Sequence, residues 1–150
     1  MEIRRYTKDL IKDVIEFEKE LRVQEDDWGW EINDEYIKSV TNSFDNIAFS
    51  DSISFLAYID GKVVGRIDSS LINSYFDGST KAYLDWICVL KNSRHKGVAQ
   101  ALMNELRGEL KNLGIDTLIG LIAGNDEAQS FYKALPDSII RDQGIWIDIK

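Results

Sequence analysis

A short loop with three basic residues and one glycine lies between a strand-like and a helix-like stretch of the sequence. The preceding residues, 82–90, are aromatic and β-branched, which predicts a buried strand. The N–H groups at a helix start lack intrahelical partners and carry the positive end of the helix dipole. The loop therefore predicts a binding site for a phosphate or diphosphate group. The helix itself is predicted from apolar residues at helical spacing, namely Val98, Leu102, Leu106, Leu110 and Leu113.

The loop residues suit an anion. Gly97 has no Cβ, so an anion can approach its backbone closely, and Ala99 is nearly as small. Arg94, His95 and Lys96 can add positive charge at the rim. Two familiar phosphate loops fit poorly, because a P-loop needs Lys and Ser or Thr after its last glycine, and a dinucleotide fingerprint needs three spaced glycines.

This arrangement resembles the cofactor-binding motif of the GNAT superfamily of acyl-CoA N-acyltransferases. That motif reads Gln/Arg-x-x-Gly-x-Gly/Ala and follows a strand that usually ends in Val. Arg94, Gly97 and Ala99 match it position by position, and Val89 matches the strand end. The resemblance implies that the loop holds the diphosphate of acetyl-CoA, while backbone groups of Ile87 and Val89 pair with its pantetheine arm.

A second motif of the same family, Asn-x-x-Ala-x-x-x-Tyr, matches Asn125, Ala128 and Tyr132. In relatives the Asn contacts the pantetheine or phosphate portion. The Tyr hydroxyl lies near the thioester sulfur, where a phenol can protonate the leaving thiolate. A core aromatic role for Tyr132 is the alternative. The cofactor-binding set implied by the two motifs is Ile87, Cys88, Val89, Arg94, His95, Lys96, Gly97, Val98, Ala99, Gln100, Asn125 and Tyr132.

Asp85 is the second catalytic candidate beside Tyr132. On a regular strand, residues 83, 85, 87 and 89 share one face. Many relatives place an acidic residue at this position or two residues earlier, close to the acceptor amine. Its carboxylate could accept the amine proton, directly or through water, or it could pair with a surface Arg or Lys. The implied mechanism is direct attack of a neutral amine on the thioester, with the N–H of Val89 stabilising the oxyanion.

An acidic, tryptophan-rich segment, Glu25–Glu31, is the candidate for acceptor recognition. Carboxylates and aromatic faces attract cations, and the net charge of −8 attracts a cationic small molecule or peptide over a longer range. The alternative is a solvated loop with local aromatic packing. The acceptor-binding residues predicted on this basis are Asp26, Asp27, Trp28 and Trp30, together with Asp85.

Composition excludes several classes of protein. The negative charge argues against a nucleic-acid partner, and no apolar run approaches the roughly 18 residues that span a membrane. One cysteine and the lack of a signal-like N-terminus predict a cytoplasmic protein. One histidine and one cysteine make no metal site, so no metal is expected. Cys88 is expected to be a core residue rather than a nucleophile, and a homodimer is possible, as in many relatives.

The elements predict a single α/β domain over residues 1–150, with the GNAT layout. The mixed central sheet is an antiparallel meander plus a parallel pair with a splay, flanked by about four helices. Residues 41–52 are predicted as a loop anchored by Ile47 and Phe49, and Ser138–Ile140 and Ile145–Ile149 as a terminal hairpin. A helix is predicted over Asp34–Val40 and a strand over Asp116–Ile122. Asp60-Gly61 predicts a hairpin turn, and Gly114 predicts the end of the helix that starts at Val98. The expected function is N-acetyl transfer from acetyl-CoA to an amine. The alternative is a non-catalytic acyl-CoA-binding sensor or interaction module.

Overall fold

The computed structural model of the protein describes residues 1–25, 29–142 and 144–149. One mixed sheet has the strand order β1-β2-β3-β4-β5, antiparallel through β4 and parallel between β4 and β5. This confirms the predicted α/β class. The strands are β1 (Glu2–Arg5), β2 (Ser52–Ile59), β3 (Lys62–Asn73), β4 (Thr80–Val89) and β5 (Leu118–Gly120), and the helices are α1 (Ile11–Gln24), α2 (Asp34–Ser43), α3 (Val98–Asn112) and α4 (Asp126–Lys133).

The contacts divide the chain into two compact units, Met1–Ile119 and Gly120–Lys150. The first unit contains β1–β4, the helices α1–α3 and most of β5, and the second contains α4 and the C-terminal segment. The single domain expected over residues 1–150 stays a prediction. In the described part of the chain, no helix has the length and apolar character needed to cross a membrane.

The core of the first unit forms where α1 and α3 lay apolar residues on the sheet. Both helices repeat these residues every three or four positions, so one face of each is buried. In the sheet, Leu56 and Ile67 are fully buried between their neighbours. The helix residues that are at most 2% exposed are Val14, Phe17, Glu18 and Leu21 of α1 and Val98, Leu102, Met103 and Leu106 of α3. Glu18 is thus a charged residue on an otherwise apolar face.

Two turns follow the sequence signals closely. Asp60 and Gly61 join β2 to β3 with φ values of 50° and 75°, as expected of an Asp-Gly hairpin turn. Gly114 follows α3 with a φ of 73°, and the two backbone bonds of a Schellman motif close the helix there.

The segment between α2 and β2 differs from the prediction. Helix α2 runs three residues further than expected, and a 3-10 turn covers Ile47–Phe49. Ile47 is 86% exposed and Phe49 51% exposed, so the prediction that they anchor a loop was wrong. The Asn46 side chain accepts a hydrogen bond from the Ala48 N–H. A polar cap therefore holds this turn, rather than apolar packing.

The predicted terminal hairpin was also wrong. Neither Ser138–Ile140 nor the described residues 144–149 form a strand. The Ser138 hydroxyl donates to the carbonyls of Tyr132 and Leu135, which ties the chain to the end of α4. Isolated strand-like sequence does not form a ladder unless a neighbouring strand supplies the backbone partners. The strand before α4 is likewise only the three residues of β5, whereas Asp116 to Ile122 was predicted.

A close contact at Gly65 sets the position of α3 on the sheet. A Cβ at Gly65 would lie 2.8 Å from Val98 Cγ1 and 3.1 Å from Leu102 Cδ1. It would also lie 3.3 Å from the carbonyl oxygen of Cys88 on the neighbouring strand. Only glycine therefore lets the first turn of α3 rest directly on the backbone of β3.

We expect Gly65→Ala to lower the free energy of unfolding by about 1–3 kcal/mol, because the added methyl overpacks this contact. Gly108→Ala is the matched control: it lies on the exposed side of α3, and its Cβ would meet no described atom within 4 Å. The control should be neutral or stabilising by roughly 0.5–1 kcal/mol. Urea denaturation measures both variants, and equal stability in the two would contradict this account of the packing.

Candidate active site

The loop between β4 and α3 opens directly into the helix. His95 and Gly97 have φ values of 59° and 78°, and Gly97 is the residue that caps α3. The Gly97 carbonyl accepts the first helical bond, from Ala101, at 2.9 Å. A Cβ at Gly97 would meet no described atom within 4 Å. The space beside Gly97 is therefore open among the described residues, which the predicted anion site requires.

The basic residues of the loop have different roles. The Arg94 guanidinium turns inward, where Nε donates to the Val89 carbonyl at 3.1 Å and Nη2 pairs with Glu25. It thereby ties the loop to the end of β4 and to the residue after α1. Lys96 is exposed, and its Nζ donates to the Asn92 carbonyl at 2.8 Å, while His95 is exposed at the rim. Lys96 is thus the cation that an anion at this helix start would meet, with the His95 ring beside it.

The remaining loop residues lie in the first turn of α3. Val98 is buried against the sheet, and Ala99 and Gln100 are partly buried. The Gln100 amide nitrogen donates to Asn104 at 2.9 Å, one turn further along the helix.

The backbone of β4 presents alternate residues away from β3. The Leu90 N–H donates to the Val64 carbonyl at 2.9 Å, and Gly65 faces Val89 in the register. In an antiparallel ladder, a residue whose N–H and C=O groups bond the neighbouring strand alternates with a residue whose N–H and C=O groups point away from that strand. The N–H groups of Val89 and Ile87 therefore point away from β3, and Cys88 between them is buried.

A bulge in β4 changes the predicted face of Asp85. Asp68 faces Trp86 in the register while Ser69 faces Leu84, so Asp85 is an extra residue opposite β3. Such a bulge interrupts the alternation of side chains. The expectation that residues 83, 85, 87 and 89 share one regular face was therefore wrong. Asp85 and Trp86, which are adjacent in sequence, instead line the same cavity.

That cavity has a volume of about 1630 Å³ and lies entirely within the first unit. The Trp30 ring lies 6.3 Å from the Trp86 ring and 6.2 Å from the Tyr36 ring, measured between centroids. Asp85 is exposed, and none of the described residues forms an ion pair with it. An exposed carboxylate beside aromatic rings can bind an ammonium group. The residues that line this end of the cavity include Glu18, Trp30, Tyr36, Arg66, Asp68, Asp85 and Trp86.

A buried charged network lies at one wall of this cavity, and sequence reasoning missed it. The Glu18 carboxylate, which is fully buried, accepts bonds from the Tyr36 hydroxyl at 2.7 and 2.8 Å and from Arg66 Nη1 at 3.0 Å. Arg66 also bonds Asp68, which accepts from Ser54 at 2.7 Å. The signal was the position of Glu18 within the apolar repeat of α1, and Arg66 lies at the centre of a buried strand.

The network stabilises particular protonation states. Burial and then the Glu18 carboxylate raise the pKa of Tyr36 to about 12. Burial lowers the pKa of the Arg66 guanidinium, but the Asp68 charge and hydrogen bond outweigh this effect and leave it raised. Tyr36 is therefore neutral and Arg66 charged at physiological pH.

The second motif lies on α4 in the second unit. The Asn125 side chain caps this helix by accepting from the Ala128 N–H at 2.8 Å. Tyr132 is half-buried, and its ring packs edge-on against Phe131 with centroids 5.2 Å apart. Burial raises the pKa of the Tyr132 phenol. The hydroxyl therefore carries a proton at neutral pH, as a proton donor must.

Of the acceptor residues predicted between α1 and α2, Trp30 is described and lines the cavity. Asp26, Asp27 and Trp28 lie outside the described residues. Within the described residues, no group of three or more His, Cys, Asp or Glu side chains could hold a metal ion.

A profile of the acetyltransferase (GNAT) family matches residues 15–135. The chain therefore belongs to this family, as the two motifs predicted, and it is an enzyme that transfers an acetyl group to an amine. No curated protein matches the sequence.

Solved structures share the fold at low sequence identity. The aminoglycoside acetyltransferase meta-AAC0020 from an uncultured soil metagenomic sample, in complex with sisomicin, has a TM-score of 0.82 and 16% identity, covering 99% of this chain and 96% of that one. AAC(6')-Iy, in complex with a bisubstrate analogue, has a TM-score of 0.77 and 21% identity, with coverages of 99% and 98%. The ribosomal-protein-alanine N-acetyltransferase of Brucella melitensis biovar Abortus 2308 has a TM-score of 0.75 and 14% identity, covering all of both chains.

Proposed function

We propose that this acetyltransferase uses acetyl-CoA as its donor and acetylates a primary amine of a cationic acceptor, either a small molecule or a peptide. The observation that carries this proposal is the cavity beside β4. There, the exposed Asp85 carboxylate and the Trp86 ring follow each other on the strand that ends at Val89.

The donor binds at the start of α3. The open space beside Gly97 admits a diphosphate to the helix N–H groups, and the exposed cation Lys96 and the exposed ring of His95 lie beside it. The outward N–H of Ile87 supplies a partner for an amide-containing arm such as pantetheine, while the outward N–H of Val89 faces the thioester carbonyl. CoA is bound in a solved complex of the similar protein AAC(6')-Iy.

In the reaction, the nitrogen of the neutral amine attacks the thioester carbonyl carbon. A C–N bond forms, and the carbonyl electrons move onto the oxygen, where the Val89 N–H stabilises the negative charge. The C–S bond then breaks, and the sulfur leaves with its electron pair. Asp85 accepts the proton that the amine loses, directly or through water, and the Tyr132 phenol donates a proton to the thiolate.

The acceptor binds in the cavity with its ammonium groups toward carboxylates and aromatic faces. A cavity of about 1630 Å³ exceeds the roughly 300–1,000 Å³ typical of sites for drug-sized molecules, so it has room for a large acceptor. An acceptor with several amines suits both this room and the overall charge of −8. The complex of the similar enzyme meta-AAC0020 with sisomicin supports an acceptor of the aminoglycoside type.

The donor site is tested by Gly97→Ala. A left-handed residue other than glycine costs roughly 1–2 kcal/mol, and the added methyl would stand where the diphosphate approaches the backbone. We expect the affinity for acetyl-CoA, measured by titration calorimetry, to fall at least about tenfold. Gly78→Ala is the control, since Gly78 has a φ of 69° in the β3–β4 turn and equally open surroundings. Equal affinities in the two variants would count against the site.

The activity is tested by incubating the protein with acetyl-CoA and a panel of monoamines, polyamines, aminoglycosides and peptides, and by measuring the free thiol released. Release should be fastest with acceptors that carry several positive charges. Asp85→Asn should lower kcat/KM on the order of a hundredfold if Asp85 is the base. Acetyl-CoA binding without thiol release for any amine would favour a sensor instead.

Tyr132→Phe separates proton donation from binding. Removing the hydroxyl should lower kcat on the order of a hundredfold, while the affinity for acetyl-CoA stays within about twofold, because the ring remains. Tyr75→Phe is the control, since Tyr75 is fully exposed in the β3–β4 turn. Stopped-flow measurement of thiol release gives kcat for each variant. Wild-type turnover in Tyr132→Phe would remove Tyr132 from the mechanism.

A further inference from the structure

Two arginines converge on the buried carboxylate of Glu18. Arg66 Nη1 lies 3.0 Å from Glu18 Oε1, and Arg22 Nη1 lies 3.8 Å from Glu18 Oε2. The Arg66 and Arg22 side chains are only 15% and 20% exposed. The elements that meet at Glu18 are therefore α1, which carries Glu18 and Arg22, and β3, which carries Arg66.

Each branch of this network ends on an aromatic ring of the cavity. Arg66 lies over the Trp86 ring, with its Cζ 5.7 Å from the centroid. Arg22 lies over the Trp30 ring at 5.3 Å, and its Nε and Nη2 donate to the Trp30 carbonyl at 3.1 and 2.9 Å. The third branch is the Tyr36 hydroxyl, which donates to Glu18. We call Trp30, Tyr36 and Trp86 together the aromatic wall.

The geometry favours a functional role over simple stabilisation. Burying an ion pair costs desolvation, and apolar side chains of similar volume often stabilise a core at least as well. A guanidinium, unlike an apolar side chain, fixes the orientation of its partners, because its N–H groups form a rigid planar fork. Here the fork of Arg66 is fixed by Asp68 on one side and by Glu18 on the other, and its Cζ lies 5.0 Å from the centroid of the Tyr6 ring and 5.7 Å from that of the Trp86 ring.

We propose that Glu18 and Arg66 are positioning residues for the acceptor, holding the aromatic wall so that a cationic amine is presented beside Asp85. This inference rests on the proposed function, and it assigns to these two residues an effect on acceptor binding rather than on the acetyl-transfer step. Asp85 and Trp86 are consecutive residues, and both line the cavity at the bulge of β4. A displacement of the Trp86 ring therefore changes the space in which Asp85 meets the amine.

The main test is Arg66→Lys, which keeps the charge but loses the fork and the flat face. We expect KM for the best acceptor to rise roughly tenfold, as for the loss of one or two hydrogen bonds in a charged network. The kcat and the KM for acetyl-CoA should change less than about twofold, since uniform acceptor binding alone is lost. Glu18→Gln keeps the shape of the side chain and should act in the same direction.

The matched control is Arg4→Lys. Arg4 also pairs with a carboxylate, Glu2, and lies over an aromatic ring, that of Tyr58, at 4.4 Å. It does not line the cavity among the described residues. All KM values in this variant should equal those of the wild type. Thermal midpoints identify any variant that fails to fold, and Glu18→Gln then carries the test.

A second measurement reports directly on the position of the aromatic wall. In two-dimensional NMR spectra, the indole N–H signals of Trp30 and Trp86 should move in Arg66→Lys, while the signal of Trp146 should stay in place. Unmoved signals, or an unchanged acceptor KM in an active variant, would overturn the inference. If the wild-type protein acetylated no amine, both the proposed function and this inference would be wrong. If the wild type and the variants were active with equal acceptor KM values, only this inference would be wrong.

Discussion

The proposed acetyl-CoA site at the start of α3 depends on one constraint, the contact between α3 and the backbone at Gly65. Val98 directly follows Gly97, so packing Val98 on Gly65 also fixes where the first N–H groups of α3 point. Arg94 fixes the other end of the same loop through the Val89 carbonyl and Glu25. Groups that are held before a ligand arrives lose little entropy when it binds.

Strand β4 contributes to both proposed substrate sites, the acetyl-CoA site through its last residues and the acceptor site through its bulge. Its last residues turn their backbone N–H groups away from β3, while the bulge at Asp85 brings two consecutive side chains to the cavity. A regular strand would send Asp85 and Trp86 to opposite faces. The bulge therefore allows a carboxylate and an aromatic ring to meet one acceptor.

Short sequence signals predicted the turns and helix ends, whose structure depends on residues close in sequence. The Asp60-Gly61 turn, the cap at Gly114 and the start of α3 depend on residues close in sequence, and all were confirmed. The position of the bulge at Asp85 could not be read from the residues alone, because a bulge is a mismatch between two strands. The pair of Glu18 and Arg66 was missed because 48 positions separate its members. The terminal hairpin was wrongly predicted from strand-like residues, because a hairpin of two strands is only marginally stable without a third strand or a helix to pack on.

The proposed acetyl-CoA site is built from backbone groups, whereas the proposed acceptor site is built from side chains. This difference explains how proteins of low sequence identity can share the fold. The donor end relies on N–H groups and on a glycine, and many sequences can supply them. In the proposed reaction, the acceptor end relies on Asp85, the aromatic wall and the buried ions behind it, which depend on particular side chains. Structures at 14–21% identity can therefore share the fold with this chain, while the proposed acceptor site uses residues such as Arg66 that a local motif does not contain.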